Sequence, residues 1–346
     1  MSRCLAYFAF CCYTGLVMHI ALCIDDNYPM QCGTFLKSIV ITNPASAITF
    51  HIFFERLTQA HQDFLEKVIE NTTAKIIFYR IDREKIAKIK SFPVRHDDHI
   101  TLSTYYRLLL PALLPHDLAK IIYLDCDMLV LDSLEELWRT DIAAFSAGAV
   151  IDMFNDDIRI YNRLGYKRLG GYFNAGFLLI NLEYWRTHQI AEKAMRFLFD
   201  EPEKCTAHDQ DALNYAMWDS VTILPARYNI QADFFNTLDT LLIDKKHHIS
   251  IAESLANPCI IHFTGATKPW HRECRHPYSF LWRKIQALTP WHDGPVMIHE
   301  YHGFRRFKYA VLRFLQKRSL VPDTCIYKAD VREVIEQITE KITCST

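Results

Sequence analysis

Three aspartates follow one another in the middle of the chain, where the apolar run "KIIYL" (Lys120–Leu124) ends. Asp125 comes first, Asp127 lies two residues later, and Asp132 lies five residues after that. Side chains two apart in an extended strand point to the same face, so the sequence predicts that Asp125 and Asp127 lie together. Two carboxylates so close repel each other unless one is protonated or a cation lies between them. Oxygen ligands of this kind suit Mg²⁺ or Mn²⁺.

The third aspartate has a structural explanation. Asp132 is followed by "SLEELW", in which Ser133 and Glu136 match the S-x-x-E capping box at the start of a helix. Asp132 would add negative charge at the positive end of that helix. We therefore predict that Asp132 belongs to a helix start.

A second kind of chemistry uses the same pair of aspartates. Phosphatases similar to haloacid dehalogenases also carry D-x-D after an apolar strand, and their first aspartate is the nucleophile. Their motif lies in the first strand of the core and continues to Thr or Val, whereas here that position is Leu129 and more than 100 residues come first. The motif alone leaves two hypotheses: a metal site, or a phosphatase with Asp125 as its nucleophile.

The aspartates must be positioned by the elements around them, and these alternate. Amphipathic segments at 60–71 and 103–114, the second ended or kinked by Pro111, read as helices. Strand-like apolar runs lie at His19–Ile24, Ala47–Phe54, Lys75–Ile81, Lys120–Leu124 and Phe145–Ile151. The alternation predicts an α/β fold with a mainly parallel sheet flanked by helices. Polar clusters follow three strands, at the edge where such sheets bind ligands: Asp25–Asn27, Asp125–Asp127 and Asp152.

Composition excludes some classes of protein. The chain has 346 residues and is 50% hydrophobic, enough for a large core. Its 39 basic and 40 acidic residues give no overall preference for nucleic acid. The G-x-G-x-x-G pattern of dinucleotide-binding proteins is absent from the sequence. A chain with such a core does not need disulfides, so we predict that its eleven cysteines are reduced thiols of a cytoplasmic protein.

Six segments occur in an order that resembles glycosyltransferase family 8, and in particular the bacterial lipopolysaccharide α-galactosyltransferases and α-glucosyltransferases. The resemblance covers roughly residues 18–282. The segments are "IDDNY", "HITLSTYYRL", "YLDCDMLV", "GGYFNAGFLLINLEYW", "HDQDALN" and "IIHFTGATKPWH". It implies a GT-A (Rossmann-like) fold and transfer of a hexose from a UDP-sugar with retention of configuration.

The resemblance also implies a metal site made of Asp125, Asp127 and His262. An imidazole ligand favours Mn²⁺, although Mg²⁺ stays possible. Lys268 would add positive charge at the diphosphate, and Gly265 would let the backbone approach it closely.

The remaining site residues are carried over from the same resemblance. Those that would hold the nucleotide are Cys23, Asp25 and Asn27, and those around the donor sugar are Arg107, Asn174, Ala175, Asp209 and Gln210. The catalytic candidates are Gln210, Asp209, Arg107 and Asn174. Gln210 would face the reacting carbon, and because an amide is a poor nucleophile, a front-face route is plausible. A double displacement that uses Asp209 or Asp211 stays open, and Asp152 is a candidate contact for the acceptor.

Several of these residues also have structural explanations. Asn174 fits a turn beside Gly176, Asp209 fits a helix cap, and His262 fits a core histidine. A zinc site built from Cys259, His262, His271 and Cys274 is disfavoured, because residues three apart in a strand face opposite sides. Arg107 is harder to explain, since a buried guanidinium needs an anionic or polar partner.

Four segments follow from this reading: an apolar leader (1–17), a GT-A domain (18–285), a basic aromatic tail (286–320) and an amphipathic helix (321–346). The leader is too short to span a bilayer; it is either part of a signal peptide or precedes a true start at Met18. The tail carries six cations and no acid across 301–320, namely Arg305, Arg306, Lys308, Arg313, Lys317 and Arg318. This is typical of a helix that lies on an anionic membrane, and the alternative is a helix docked on its own domain.

The functional hypothesis is a peripheral enzyme at the cytoplasmic face of the bacterial inner membrane. It would move galactose, or less favourably glucose, from a UDP-sugar to a lipid-linked lipopolysaccharide or lipooligosaccharide core. The partners are this donor, this acceptor and the anionic membrane surface, with no nucleic acid. The alternatives are the D-x-D phosphatase and a non-catalytic protein that binds a sugar nucleotide.

Overall fold

The computed structural model describes residues 17–91, 102–169, 171–236, 238, 241–297, 311 and 331–344. Residues 1–16 of the apolar leader, and residues 298–310 and 312–320 of the basic tail, lie outside the described residues. No helix in the part of the chain that the structure describes is long and apolar enough to cross a membrane.

A seven-stranded sheet forms the centre of the molecule, in the order β3-β2-β1-β4-β7-β6-β8. Its strands are β1 (Met18–Cys23), β2 (Ile48–Phe54), β3 (Lys75–Arg80), β4 (Lys120–Leu124), β6 (Ala147–Ile151), β7 (Phe173–Asn181) and β8 (Val221–Ile223). Of these strands, β7 runs antiparallel to its neighbours β4 and β6, and the other pairs are parallel. The mainly parallel mixed sheet predicted from the alternation is confirmed.

A second, smaller sheet has three strands. It contains β5 (Met128–Val130), β9 (Ile230–Gln231) and β10 (Ile260–His262), in the order β5-β10-β9. β10 pairs antiparallel with β5 and parallel with β9. This sheet brings residues near 128, 231 and 262 together, although more than 130 positions separate the first from the last.

Helices lie on the large sheet. They are α1 (Pro29–Thr42), α2 (Gln59–Val68), α3 (Arg83–Lys90), α4 (Leu110–Leu113), α5 (Glu135–Arg139), α6 (Ile158–Leu164), α7 (Leu182–Thr187), α8 (Ile190–Asp200), α9 (His208–Met217), α10 (His248–Ala256), α11 (Ser279–Gln286) and α12 (Arg332–Cys344). After α11 the chain packs back onto α1, since Trp291 contacts Gly33 and lies 5.5 Å from the ring of Phe64. In α12, Ile335 and Ile338 pack against the core.

The central strands are buried on both faces because each face packs against a hydrophobic cluster, whereas the edge strand β3 is partly exposed. In β1, Ile20 and Leu22 belong to one hydrophobic cluster and Ala21 to the other. All seven residues of β2 are buried. Central strands of a covered parallel sheet therefore appear as nearly continuous apolar runs, which is how the sequence shows them.

Two local predictions are wrong. Residues 102–109 form a 3₁₀ helix and α4 follows, so Pro111 lies in the first turn of a helix, where its missing N–H costs nothing. The capping box is also absent: α5 begins after Leu134, whose N–H donates to Oδ1 of Asn43 (2.8 Å). Both Asp132 (2.8 Å) and Glu136 (3.3 Å) instead pair with Arg227.

A buried histidine makes the fold sensitive to acid. His51, in β2, is 2% exposed, with its two ring nitrogens 2.9 Å from His19 and 3.0 Å from the hydroxyl of Tyr79. Burial, and then the nearby His19 and Lys75, lower the pKa of His51 to about 4. An unfolded histidine takes up its proton near pH 6.5, so the free energy of unfolding falls as the pH drops from about 6.5 to 4, by on the order of 3 kcal/mol.

We expect His51→Gln to flatten this part of the pH profile, because the variant has no proton to take up on unfolding. Urea unfolding at a series of pH values between 4 and 7 measures the slope. His188→Gln, at an exposed position, is the control and should keep the slope of the unmodified protein. The same slope in His51→Gln would contradict the assignment.

Candidate active site

Asp125 and Asp127 lie in the bend between β4 and β5, not within an extended strand. The argument from a shared strand face is therefore wrong, but the two side chains still lie on one side, while the buried Cys126 turns toward Cys32. The bend is fixed by its backbone: Asp125 N–H donates to the carbonyl of Gly176 (2.9 Å), and the carbonyl of Asp127 accepts from Phe263 N–H (3.0 Å).

His262, the last residue of β10, completes a group of three potential metal ligands. One ligand atom each from Asp125, Asp127 and His262 lie within 4.8 Å of one another. Among the described residues, this is the one group of three or more such side chains close enough to share a metal ion. It is also the set that the resemblance implied. The zinc pattern is not assembled, since the thiol of Cys259 is directed at the carbonyls of Asp132 (3.9 Å) and Ser133 (3.6 Å).

The hydrogen bonds of His262 fit a metal ligand. Its Nδ1 is 2.9 Å from Oδ1 of Asn229, an amide oxygen that can only accept, so Nδ1 carries the proton. When the imidazole is neutral, the lone pair of Nε2 faces Oδ1 of Asp127 at 3.2 Å, and when it is protonated, Nε2–H donates to that oxygen. Two electron-rich atoms at this distance favour a cation between them, and an imidazole with a fixed tautomer is the usual arrangement in metal sites.

Lys268 also binds the carboxylate of Asp127. Its ammonium donates to Oδ2 of Asp127 (2.5 Å) and to the carbonyl of Phe263 (2.7 Å). Burial opposes ionisation of Asp127, but Lys268 and then His262 outweigh it and lower the pKa of this carboxyl far below its usual range. Asp127 is therefore ionised at neutral pH, and it lies between the ammonium of Lys268 and the imidazole of His262.

Arg107 is buried between two carboxylates. The guanidinium, 5% exposed, lies 3.1 Å from Oδ1 of Asp125 and 2.8 Å from Oδ2 of Asp209, and it also donates to the carbonyl of Ala175. Its Cζ lies 4.5 Å from the ring centroid of Tyr123. The expectation that this residue needs an anionic or polar partner is confirmed, since it contacts two carboxylates and a carbonyl.

The charges of this cluster influence each other. Burial raises the pKa of Asp209 to about 7, although the guanidinium of Arg107 opposes that shift. Burial lowers the pKa of Arg107, but Asp125 and Asp209 outweigh it, and the net shift is upward. Asp209 does not cap α9, because its carboxylate faces Arg107.

Gln210 and Asn174 form a polar group beside the metal ligands. Oε1 of Gln210 accepts from the amide of Ala175 (3.0 Å) and from Asn174 (3.2 Å). Its Nε2 donates to Oδ2 of Asp152 (3.2 Å) and to the hydroxyl of Tyr172 (3.1 Å). Asn174 lies inside β7 and not in a turn, and it also donates to Asp152 (3.2 Å). The structure therefore brings together four residues that the sequence placed in one site.

Asn229 is a residue of the site that the sequence did not reveal. Its Nδ2 donates to Oδ1 of Asn174 (3.0 Å), while its Oδ1 holds the ring of His262. It is fully buried and connects the Gln210 group with the metal ligands. A lone asparagine after a short 3₁₀ helix carries no pattern that would have identified it.

The loop after β1 lies along the same edge of the sheet. Asp25 accepts from the amide of Asn27 (2.8 Å), and Asn27 is exposed. Burial raises the pKa of the Cys23 thiol, which Arg107 opposes and Asp125 increases. On the far side, Gly265 has a φ of 84°, a left-handed backbone that favours glycine.

A cavity of about 510 Å³ opens beside Gln210. Asp152, Asn174 and Gln210 lie at its polar end, and Phe154, Arg159 and Thr264 line the remainder. Burial raises the pKa of Asp152, against the hydrogen bonds that it accepts from Phe154 N–H, Asn174 and Gln210. The cavity is large enough for a small sugar-sized ligand.

Comparison with known proteins decides the family. A model of glycosyl transferase family 8 matches residues 19–274, which include every metal ligand and polar group described above. The chain belongs to glycosyltransferase family 8. The match includes the D-x-D segment and leaves the phosphatase hypothesis without support.

Members with known names or structures cover most of the chain. General stress protein A of Bacillus subtilis is 30% identical over 282 residues, which are 80% of this chain and 95% of that protein. The lipopolysaccharide 1,3-galactosyltransferase of Salmonella typhimurium is 26% identical and covers 82% of each chain, and a lipopolysaccharide 1,2-glucosyltransferase of Escherichia coli is 29% identical and covers 85% of each. The solved galactosyltransferase LgtC, in complex with donor and acceptor sugar analogs, is 27% identical, with a TM-score of 0.72 over 80% of this chain and 99% of its own. The GT-A fold predicted from the sequence is confirmed.

Gly176 is the second residue of this family 8 site that sequence reasoning missed. A Cβ at this position would lie 2.5 Å from Cε1 of His262 and 2.8 Å from Oδ2 of Asp125. Only a glycine leaves the space between these two ligands open.

We expect Gly176→Ala to lower the affinity for Mn²⁺ by roughly tenfold to a hundredfold, because His262 must leave its place. Calorimetric titration with Mn²⁺ measures the change in affinity without an activity assay. Gly148→Ala is the matched control: it lies in β6, and its Cβ would meet a movable end of Leu224 at 2.7 Å. It should lower stability but keep the Mn²⁺ affinity. Unchanged Mn²⁺ binding by Gly176→Ala would contradict the site.

Proposed function

We propose that this chain is a retaining hexosyltransferase that uses a UDP-hexose and Mn²⁺, with galactose favoured over glucose. The acceptor is a lipopolysaccharide or lipooligosaccharide core. The observation that carries the proposal is the juxtaposition of Asp125, Asp127 and His262 with the cavity that begins at Gln210. Relatives named as lipopolysaccharide galactosyl- and glucosyltransferases support the acceptor class.

At the donor end, the site would bind a metal ion and the diphosphate. Asp125, Asp127 and His262 would hold the cation, and the imidazole favours Mn²⁺, with Mg²⁺ possible. Mn²⁺ bound there would stabilise negative charge on departing UDP. Lys268 lies beside the carboxylate of Asp127 and would move its ammonium to the diphosphate, near the left-handed backbone of Gly265. Cys23, Asp25 and Asn27 would border the nucleotide.

The geometry supports a front-face route over a double displacement. Asp209 is held by Arg107, and Asp211 is fully buried and bound by Arg163 (2.7 Å) and by the hydroxyl of Tyr172 (2.8 Å). Both carboxylates that flank Gln210 are therefore bound by other side chains, which disfavours either of them as a nucleophile. Gln210, with Asn174 and Ala175 fixing its amide, would face the reacting carbon while the acceptor hydroxyl attacks from the side that UDP leaves.

Asp152 is the proposed contact for the acceptor. Its carboxylate lies at the boundary between the Gln210 group and the cavity, and Oδ2 already accepts two amide protons. The remaining acceptor capacity of an aspartate suits a sugar hydroxyl. The cavity behind it would hold the terminal sugar of the acceptor.

Assays with labelled UDP-galactose and UDP-glucose, Mn²⁺ and a truncated core acceptor test this function. Transfer to the core supports it, and the ratio of the two rates identifies the donor. Binding of UDP-hexose without transfer or hydrolysis would indicate the non-catalytic alternative. Neither binding nor transfer with any UDP-hexose would refute the proposal.

We also propose the four segments given above, with the basic tail as a peripheral attachment to the cytoplasmic face of the inner membrane. Deleting the end of the chain would not test this attachment cleanly, because Val331 and Ile335 pack on the core and their loss would also destabilise the fold. Replacing the six tail cations by glutamine keeps these contacts. We expect the variant to sediment with anionic vesicles at least tenfold less than the unmodified protein, since each cation contributes about 1 kcal/mol near an anionic surface. Equal sedimentation would refute the attachment, and neutral vesicles provide the control.

A further inference from the structure

A second depression begins at the last turn of α6, next to the cavity beside Gln210, which we call the acceptor cavity. It has a volume of about 870 Å³ and is formed by the end of α6, by α8 and by the end of α9. We call it the α6–α9 depression, and its principal side chains are Tyr166, Lys193, Arg196, Lys204, Tyr215 and Trp218. None of these residues takes part in the site described above.

Aromatic rings form part of its wall. Tyr166 and Trp218 stack with centroids 6.3 Å apart, and Tyr215 stacks on Phe197 at 3.8 Å and is 38% exposed. Tyr166 is 9% exposed, and its hydroxyl has no hydrogen-bond partner among the described residues. The exposed Tyr215 offers an apolar ring face together with a polar end. Such a wall suits the C–H faces and hydroxyl groups of a sugar.

Charged side chains of both signs surround the rings. Lys167, Lys193 and Arg196 are exposed, and none forms an ion pair with a described residue, whereas Lys204 pairs with Glu201 (3.1 Å). Asp200 and Asp219 also line the depression, which thus holds four cations and three acids. A nucleic acid or a lipid surface would call for one dominant sign. Mixed charge instead suits a ligand that has hydroxyl groups for the carboxylates and phosphate or carboxylate groups for the free cations.

The depression and the acceptor cavity share a wall. Arg163 lines the cavity, while Leu164 and Gly165, the next two residues, line the depression. Arg163 also fixes this wall, because it pairs with Asp211 at 2.7 Å and donates to the carbonyl of Lys204. An extended oligosaccharide that leaves the cavity over the last turn of α6 would meet the depression next.

We propose that the α6–α9 depression is a second binding site for oligosaccharides, which holds an anionic part of the acceptor away from the reacting sugar. This proposal rests on the proposed function, because that function supplies an acceptor of several sugars. It adds a site whose ligand is an oligosaccharide carrying phosphate or carboxylate groups.

Binding is tested first, without turnover. The probe is the phosphorylated core oligosaccharide released from lipopolysaccharide by complete deacylation, and calorimetry compares it with the same probe after dephosphorylation. We expect Lys193→Glu/Arg196→Glu to weaken binding of the phosphorylated probe by at least tenfold. Lys75→Glu/Arg80→Glu, the same change of charge on the exposed positions of β3, should leave it unchanged. Equal affinity in both variants and the unmodified protein would overturn the proposal.

A second variant tests the aromatic wall. Tyr215→Ala removes an exposed ring and should weaken the phosphorylated and dephosphorylated probes alike. If only charge reversal affects binding and Tyr215→Ala changes neither probe, the depression attracts anions and is not an oligosaccharide site.

Kinetics then separates the two proposals. In Lys193→Glu/Arg196→Glu we expect KM for the phosphorylated core to rise at least tenfold, with kcat and KM for UDP-hexose unchanged, and with no effect on a short acceptor that fills only the cavity. If the unmodified protein binds the probe and the variant does not, but neither transfers a hexose, the proposed function fails and the binding site stands. If transfer occurs and all kinetic constants are equal, the second site fails and the function stands.

Discussion

Asp127→Asn is expected to lower hexosyl transfer by roughly 10²–10³-fold or more, because it removes the carboxylate at which His262, Lys268 and the proposed metal meet. The amide has the same shape, and Lys268, which is partly exposed, keeps its bond to the carbonyl of Phe263. We therefore expect the free energy of unfolding to fall by only about 1–2 kcal/mol. Calorimetric titration with Mn²⁺, an assay of transfer, and urea unfolding measure the three effects.

The chain contains its own control for this substitution. Asp132→Asn makes the same chemical change five residues away, where the carboxylate pairs with Arg227 and is not among the metal candidates. It should keep both Mn²⁺ binding and transfer within about twofold, and its cost in stability should be at most about 1 kcal/mol, as for other partly exposed ion pairs. Mn²⁺-dependent transfer by Asp127→Asn at the level of Asp132→Asn would refute the metal assignment.

These aspartates also illustrate which features of the fold and the site can be predicted from the sequence. The alternation of apolar runs predicted the sheet, because central strands covered on both faces must be apolar throughout. The pair Asp125 and Asp127 was recognised by its spacing, although the physical reason, a shared strand face, was wrong. The bend that holds them together depends on Gly176, in β7, and on Phe263, directly after β10, which are distant in the sequence.

Contacts between distant segments explain the remaining differences. The start of α5 was assigned to a local capping box, but Asn43, about 90 positions earlier, accepts the free N–H of Leu134. Asn229 and Gly176 have no local pattern, because one acts through its hydrogen bonds across the site and the other by having no side chain. Arg107 is the exception: a lone cation in an apolar helix face predicts an anionic or polar partner, and the structure supplies Asp125 and Asp209.

Arg107→Met is expected to have the largest effect on stability, about 3–5 kcal/mol, because it leaves two carboxylates near one another without the guanidinium between them. Methionine is similar in length and apolar, so the loss reports the charge and its hydrogen bonds more than the volume. Urea unfolding measures the free energy, and transfer should fall as well, since the guanidinium lies 3.1 Å from the proposed metal ligand Asp125. A loss below about 1 kcal/mol would contradict the role of Arg107 as the shared cation.

The pH dependence follows from Asp209. Its pKa in the folded protein, about 7, lies above that of an unfolded aspartate, near 3.9, so the stability that this proton provides is complete below pH 4 and is lost as the pH rises toward 7. Arg107 opposes the upward shift, and its removal therefore raises the pKa of Asp209 further. We expect the free energy of unfolding of Arg107→Met to keep falling above pH 7, where the corresponding loss in the unmodified protein has ended.

A double-mutant cycle with Asp209→Asn isolates the pair. If the two side chains stabilise each other, Arg107→Met/Asp209→Asn should be less destabilised than the sum of the single variants, and the additional slope above pH 7 should disappear. Additive losses would mean that Arg107 does not hold Asp209 in solution. Asp209 would then be a free carboxylate beside Gln210, the group that a double displacement requires and that the front-face route does without.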